Sequence, residues 1–143
     1  MKPASFDYIR AASVEEATEV LAKYGARARL MAGGQSLMPL LNFRLVEPEV
    51  VVDISSIGSL NSIRIDGESV EIGASVTQSE LLDWPKLKEE LPLLALALPC
   101  VGHFQTRNRG TVCGSIAHSD PSSELPLCLA VLGGEVELRS TGG

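Results

Sequence analysis

The chain has 143 residues, of which 45% are hydrophobic and 21% charged, and a formal net charge of −6 at pH 7. This length suffices for one domain with a buried core, and the negative charge disfavours nucleic acid, whose phosphates are bound by clustered positive charge. No apolar run reaches the roughly 18 residues that span a bilayer. The N-terminus lacks the apolar core of a signal peptide, and three widely spaced cysteines form neither a disulfide framework nor a metal-binding pattern. We therefore expect a cytoplasmic protein with no membrane insertion and no metal site.

The first thirty residues predict a strand, a helix and a second strand. Residues 6–10 alternate as a short strand does, and Ser13 with Glu16 has the spacing of a capping box that starts a helix. The helix is expected to end at Gly25, and residues 28–31 to form a short buried strand. This order is typical of an α/β opening.

A glycine-rich loop, residues 32–36, follows the second strand directly. Ser36 is expected to cap a short helix that carries Pro39 in its first turn and ends near residue 42 or 43. Residues 49–54 are almost continuously apolar, which predicts a strand that is buried on both faces.

From residue 61 onwards the pattern changes. Residues 63–72 alternate around an Asp-Gly pair, which predicts a hairpin, and we place a boundary before it that divides the chain into subdomains 1–58 and 59–143. Thr77 and Glu80 form a second capping box. Further helices are expected up to residues 84–85, over 87–98 with Pro92 at a helix start, and over 124–132, followed by a strand over 135–139. The last four residues resemble a hairpin turn without its return strand, which suggests a fragment of a longer α+β protein.

A second stretch, residues 107–126, has the same character as the first glycine-rich loop. It combines two arginines, small residues and hydroxyls, and Ser123 is expected to cap the helix that follows. Each loop would place free N–H groups just before a helix, where the donors and the helix dipole favour an anion. Glycine lets the backbone approach phosphate oxygens closely. Two such loops suit the linked phosphates of a dinucleotide, with closest approach at Gly33, Gly34 and Gly114 and hydroxyl donors on Ser36, Thr111 and Ser115.

Neither loop has the pattern of a common nucleotide-binding motif. No lysine follows Gly34 or Gly114, so neither loop is the phosphate loop of a nucleoside triphosphatase. The G-x-G-x-x-G pattern of a Rossmann domain is also absent after the first strand. The sequence therefore predicts a dinucleotide site of another type.

Two segments carry a resemblance to a known family, Ala32-Gly33-Gly34-Gln35-Ser36-Leu37-Met38-Pro39 and Arg107-Asn108-Arg109-Gly110-Thr111-Val112-Cys113-Gly114-Ser115-Ile116-Ala117-His118. They resemble the two FAD-binding signatures of the medium subunits of molybdenum hydroxylases, such as carbon monoxide dehydrogenase and xanthine-dehydrogenase-like enzymes. The resemblance covers the whole chain in order. It implies the FAD-binding PCMH-type fold, shared with vanillyl-alcohol oxidase, with two α/β subdomains of which the second is incomplete.

The resemblance also implies a function and partners. The chain would be an FAD-binding electron-transfer subunit that accepts electrons from an iron–sulfur small subunit and passes them to an external acceptor. Hydroxylation would take place at a molybdopterin in a large subunit, within a dimer of heterotrimers. Because the isoalloxazine carries the electrons, we expect no catalytic acid, base or nucleophile in this chain.

The resemblance further assigns residues to the FAD. The first loop would hold the pyrophosphate through backbone N–H groups, the second would form another cradle, and an acidic residue would lie near the cofactor. Cys113 stands where the family usually has glycine. The expected cofactor-binding residues are Ala32, Gly33, Gly34, Gln35, Ser36, Thr111, Val112, Cys113, Gly114, Ser115 and Glu124.

Several assignments remain open on the sequence. Arg107 and Arg109 fit either a phosphate or partner contact or a solvated pair beside a turn. Cys113 is the one thiol expected to be accessible, whereas Cys100 and Cys128 have apolar surroundings typical of packing residues. Two alternative functions are a truncated assembly module and a stand-alone flavin reductase of the same fold. The reductase would use NAD(P)H and would need a catalytic acid, for which no motif position offers a candidate.

Overall fold

The computed structural model describes residues 1–143 and shows an α+β chain with two sheets. The five strands are β1 (Asp7–Arg10), β2 (Ala28–Met31), β3 (Val50–Asp53), β4 (Ile63–Asp66) and β5 (Ser69–Ile72). The first three form a parallel sheet in the order β1-β3-β2, and β4 and β5 form an antiparallel hairpin. None of the helices combines the length and the hydrophobicity that a membrane-spanning helix requires. The helices are α1 (Val14–Tyr24), α2 (Leu37–Asn42), α3 (Gln78–Leu82), α4 (Leu87–Glu90), α5 (Pro92–Ala97), α6 (Phe104–Arg107), α7 (Val112–His118) and α8 (Glu124–Val131).

The parallel sheet and α1 form the first core. The predicted capping box starts α1, because the Glu16 N–H donates to Ser13 Oγ at 3.1 Å and the Ala12 N–H donates to Glu16 Oε2 at 2.7 Å. The central strand β3 is buried on both faces, as its continuous apolar sequence predicts. The fully buried members of this core are Ala11, Ala17, Val50, Val52, Ile54 and Ile57.

A carboxylate fixes the carboxyl end of the central strand. Asp53 is only 4% exposed, and it accepts hydrogen bonds from the Tyr8 hydroxyl and from the Ser55 N–H at 2.8 Å. Burial alone would raise the pKa of Asp53, but these hydrogen bonds and the nearby Arg10 hold it below its ordinary value. The next N–H, that of Ile54, donates to Met31 O at 3.0 Å. The end of β2, which leads into the first glycine-rich loop, is thus held to the chain after β3 by a backbone hydrogen bond.

The second core lies among the helices that follow the hairpin. The predicted capping box at Thr77 starts α3, and both of its hydrogen bonds are present. The Glu80 N–H donates to the Thr77 hydroxyl at 3.1 Å, and the Thr77 N–H donates to Glu80 Oε2 at 2.7 Å. Pro92 begins α5, where its missing N–H leaves no intrahelical bond unmade. The buried members are Val76, Leu81, Leu87, Leu94, Leu98, Val101, Val112, Leu125 and Cys128.

The two cores are joined by hydrogen bonds of Ser75 and by close packing of the chain around it. Ser75 Oγ donates to Ile54 O at 2.9 Å, and the Ser75 N–H donates to Leu60 O at 3.0 Å. A Cβ on Gly73 would lie 2.1 Å from Leu60 O, so the chain after the hairpin packs closely against the backbone of residue 60. Leu60 and Ala74 both pack against the first core. Because these contacts link the two cores, the division into subdomains 1–58 and 59–143 remains a prediction.

Two predicted features are wrong. The segment 135–139 is not a strand, because its backbone makes no hydrogen bond with a neighbouring strand, and an alternating pattern needs such a partner. Residues 112–118 are the helix α7 and not a loop that leads to a helix at residue 124. Thr111 caps this helix with its hydroxyl, a start signal that the small residues around it obscure.

Candidate functional site

The two glycine-rich segments meet backbone against backbone. A Cβ built on Gly33 would lie 2.0 Å from the carbonyl oxygen of Arg109 and 2.8 Å from the Cα of Gly110. A Cβ on Gly110 would in turn lie 3.6 Å from Gln35 Cγ. We call this contact, of residues 33–35 with residues 109–110, the loop junction. It brings the two predicted loops together, and only a residue without a side chain fits at Gly33.

The first loop presents unused backbone donors. No backbone or side-chain acceptor in the chain takes the N–H groups of residues 32–36. Gly34 has a φ of 70°, in the left-handed region that favours glycine. Consecutive free N–H groups next to a helix start attract an anion. These free donors support the predicted pyrophosphate cradle, which stays a prediction.

Ser36 precedes α2 as predicted but does not cap it with its side chain. Its backbone is already helical, with φ −95° and ψ −41°, and its hydroxyl accepts no bond from the helix. The turn begins earlier, where the Met38 N–H donates to Gly34 O at 2.9 Å. A capping hydroxyl requires an extended backbone, which Ser36 lacks.

The second predicted cradle has fewer free donors than the first. Three of the five N–H groups in residues 111–115 already have partners within the chain. The Val112 N–H donates to Val76 O at 3.1 Å. The N–H groups of Gly114 and Ser115 donate to Thr111, at 3.0 Å to its Oγ1 and at 3.2 Å to its carbonyl oxygen. The N–H groups of Thr111 and Cys113 have no partner. The Thr111 hydroxyl oxygen accepts the capping hydrogen bond of α7, and the donation of its O–H to a ligand stays a prediction.

Cys113 faces the hairpin. Its thiol lies 3.4 Å from Ile72 O and 3.8 Å from Gly73 O, and burial raises its pKa. The expectation that Cys113 is the accessible thiol is wrong, since it is half-buried and Cys100 is exposed. Cys128 is buried, as predicted, and burial together with the nearby Glu124 charge raises its pKa.

We expect a thiol reagent such as iodoacetamide to modify Cys100 first under native conditions. Cys113 and Cys128 should react at least about tenfold more slowly, because a raised pKa lowers the thiolate fraction and burial limits access. Mass spectrometry of peptides sampled over time would measure the three rates. The variant Cys100→Ser should lose the fast phase, and equal rates for Cys113 and Cys100 would contradict the placement.

Ser115 and Glu124 lie further from the loop junction along the chain. Ser115 Oγ and Ser123 Oγ are 3.0 Å apart, so this hydroxyl pair links α7 to the start of α8. Ser123 precedes α8 as predicted, but its hydroxyl makes this link and does not cap the helix. Glu124 lies in the first turn of α8, and its carboxylate makes no hydrogen bond or ion pair within the chain.

The two arginines differ in their roles. Arg107 Nη1 donates to the carbonyl of Val101 at 2.9 Å and lies within 3.5 Å of those of Pro99 and Gly102, so its guanidinium binds the chain itself. The solvated-pair alternative is therefore wrong for Arg107, and the phosphate or partner contact stays a prediction. The side chain of Arg109 is exposed and forms no ion pair. Arg109 borders a cleft of about 380 Å³ that the first loop also lines, together with Met31, Met38, Pro39 and Asn42.

Sequence reasoning missed one residue at this site, Gln78. Its N–H donates to Gly110 O at 2.9 Å, and it is 4% exposed. Its Oε1 is the one buried side-chain nitrogen or oxygen in the chain without a hydrogen-bond partner. The sequence around it signals only a capping box, and nothing in that motif distinguishes a buried glutamine from an exposed one.

A family model described as the FAD binding domain in molybdopterin dehydrogenase matches residues 4–143. The 6-hydroxypseudooxynicotine dehydrogenase complex subunit alpha of Paenarthrobacter nicotinovorans is 44% identical over 143 residues, which cover 100% of this chain and 48% of that protein. The carbon monoxide dehydrogenase medium chain of Hydrogenophaga pseudoflava is 42% identical over 132 residues, covering 92% and 46%.

Solved structures have the same fold. Quinoline 2-oxidoreductase from Pseudomonas putida 86 superposes with a TM-score of 0.88 at 41% identity, covering 92% of this chain and 46% of that chain. Carbon monoxide dehydrogenase from Hydrogenophaga pseudoflava gives 0.85 at 42% identity, with 88% and 44% covered. The chain thus spans about half the length of the relatives it matches. The predicted FAD-binding fold is confirmed, and the chain belongs to the family of FAD-binding domains of molybdopterin dehydrogenases.

Proposed function

We propose that this chain binds FAD as part of an electron-transfer subunit of a molybdopterin-dependent hydroxylase or dehydrogenase. The observation that carries the proposal is the run of five free N–H groups at residues 32–36, held against the second signature segment at the loop junction. FAD is the cofactor of the family to which the chain belongs. The unused donors of this chain match the acceptor oxygens of its pyrophosphate.

The residues at the loop junction fit this cofactor. A side chain on Gly33 would fill the space where the two segments meet, and Gly34 adopts the left-handed conformation that glycine favours. The free N–H groups of Thr111 and Cys113 would add a second set of donors. Arg109, exposed beside the cleft, would add a positive charge for the phosphates. Val112, Gly114, Ser115 and Glu124 remain proposed contacts.

When bound, FAD supplies the redox chemistry, because its isoalloxazine ring accepts and releases the electrons. The residues of this chain bind and orient the dinucleotide through backbone donors. No side chain at the loop junction is needed as an acid or base for that task. The chain therefore contributes binding and position to the reaction.

The proposed partners are an iron–sulfur small subunit, which would deliver electrons, and a molybdopterin large subunit, which would oxidise the substrate. The names of the relatives support a multi-subunit enzyme, since they include medium chains of carbon monoxide dehydrogenases and a subunit of a dehydrogenase complex. An arrangement as a dimer of heterotrimers is part of the same proposal.

The experiment that tests FAD binding is a titration of the 143-residue chain, with its flavin content first measured by absorbance. FAD should bind, and ADP should compete with it, because both carry a pyrophosphate that the free N–H groups can hold. Riboflavin, which has no phosphate, is the matched control and should bind far more weakly. A chain that purifies without flavin and ignores added FAD would refute the proposal.

An assembly module is the second candidate, and three exposed apolar side chains on α5 and α8 favour it. Leu96 on α5 is 75% exposed, and Leu127 and Val131 on α8 are 66% and 68% exposed, which is unusual for apolar side chains on packed helices. Identification by mass of the chains that copurify would separate the two candidates. A chain that binds partner subunits but no FAD would support the assembly role alone.

A further inference from the structure

Gln78 lies next to Gly110, in the second segment of the loop junction. It is the first residue of α3, and its N–H donates to Gly110 O at 2.9 Å. A Cβ on Gly110 would lie 3.4 Å from Gln78 Nε2, so the side-chain amide packs against the same residue that its backbone holds. Gln78 therefore contacts the second segment of the loop junction with both its backbone and its side chain.

The amide oxygen of this side chain is exceptional in the structure. The other buried polar side chains all have partners: Asp53 accepts from Tyr8 and Ser55, Ser75 donates to Ile54 O, and Thr111 accepts from the Gly114 N–H. Gln78 Oε1 is buried and has none. Because an unsatisfied buried carbonyl destabilises a fold, such an atom calls for an explanation. The surrounding chain offers no donor for it.

The chemistry of an amide oxygen limits what its partner can be. It accepts hydrogen bonds only, so a phosphate oxygen, which is also an acceptor, cannot satisfy it. In FAD, the groups that flank the pyrophosphate are the ribityl chain on one side and the adenosine ribose on the other. Both carry hydroxyls, and these can donate.

We propose that Gln78 is a further cofactor-binding residue, whose Oε1 accepts a hydrogen bond from a hydroxyl of the bound FAD next to the pyrophosphate. The inference rests on the proposed function, because it places the pyrophosphate at the free N–H groups of the first loop. Oε1 is buried in the FAD-free chain, so a local movement of the Gln78 side chain would bring it to the hydroxyl while the loop junction stays closed. The phosphates would then accept hydrogen bonds from the backbone N–H groups of the first loop, and the hydroxyl would donate to Gln78 Oε1.

The variant Gln78→Met tests this, because methionine has a similar length and no hydrogen-bonding amide. We expect the melting temperature of the FAD-free variant to be unchanged or raised, since an unsatisfied buried atom has been removed. We expect the Kd for FAD to rise about tenfold, the usual effect of losing one hydrogen bond. The matched control is Gln105→Met, at an exposed position on α6, which should change neither quantity.

Titration with ADP distinguishes the two sources of the hydroxyl. If the ribose donates, Gln78→Met weakens ADP and FAD by the same factor, and if the ribityl chain donates, only FAD is weakened. An FAD Kd within twofold of the wild-type value would overturn the inference, as would a lowered melting temperature or a variant that does not fold. Failure of the wild-type chain to bind FAD would instead refute the proposed function, so the two failures are distinguishable.

Discussion

Replacing Gly33 by alanine should weaken FAD binding by about a hundredfold or more. The added Cβ would lie 2.0 Å from the Arg109 carbonyl oxygen, and the atoms it meets are backbone atoms that cannot rotate away. The two segments must therefore separate, at an energetic cost of about 3 kcal/mol, which corresponds to roughly two orders of magnitude in Kd. Titration of the purified variant with FAD, followed by flavin fluorescence, would measure the loss.

The matched control for this substitution is Gly58→Ala. Gly58 has no heavy atom within 4 Å of an added Cβ, and its φ lies outside the left-handed region. It should bind FAD as the wild type does, and its melting temperature should match or slightly exceed that of the wild type. If Gly33→Ala and Gly58→Ala bind FAD with Kd values within threefold of each other, the loop junction does not form the cofactor site.

Gly114→Asp is the second substitution with a large expected effect. A Cβ on Gly114 would lie 2.6 Å from Thr111 Oγ1, the hydroxyl that caps α7, so any side chain displaces that cap. Loss of a cap destabilises a helix by about 1 kcal/mol. The aspartate adds a negative charge beside the proposed pyrophosphate, and together the two effects should raise the Kd for FAD by about a hundredfold.

The variant Gly114→Ala separates the charge from the cap. It displaces the Thr111 hydroxyl without adding charge, and we expect its Kd for FAD to rise only about fivefold. Measuring both variants at low and high salt adds a second criterion, because only the aspartate effect should shrink as salt screens the charge. Equal FAD affinities of the alanine and aspartate variants would place the pyrophosphate away from α7.

The elements that local signals control were predictable from the sequence. The capping boxes at Ser13 and Thr77 each start a helix where predicted, and the Asp66-Gly67 pair turns the β4-β5 hairpin with Gly67 at φ 59°. Each of these signals acts within four residues, so the surrounding fold has little opportunity to override it. The glycine-rich loop after β2 was predictable for the same reason.

The features that depend on distant residues were not predictable. The alternating segment 135–139 lacks a neighbouring strand, and a pattern of side chains does not indicate whether one is present. Cys100 was assigned to packing because its neighbours along the chain are apolar, yet its side chain is exposed. Gln78 is buried against Gly110, a residue 32 positions further along the chain, and no local pattern signals that contact. Burial and partnership of a side chain are tertiary properties that sequence periodicity reports only indirectly.

The contact of Gly33 with Arg109 and Gly110 also bears on how the chain folds. The two positions are distant along the chain, and closing so long a loop carries an entropic barrier that the local helices and the hairpin do not face. The cradle should therefore be among the last parts of the molecule to form. A dinucleotide that binds only after this closure would stabilise the closed loop junction and slow its reopening. The residence time of the dinucleotide would then report the rate at which the two segments of the loop junction separate.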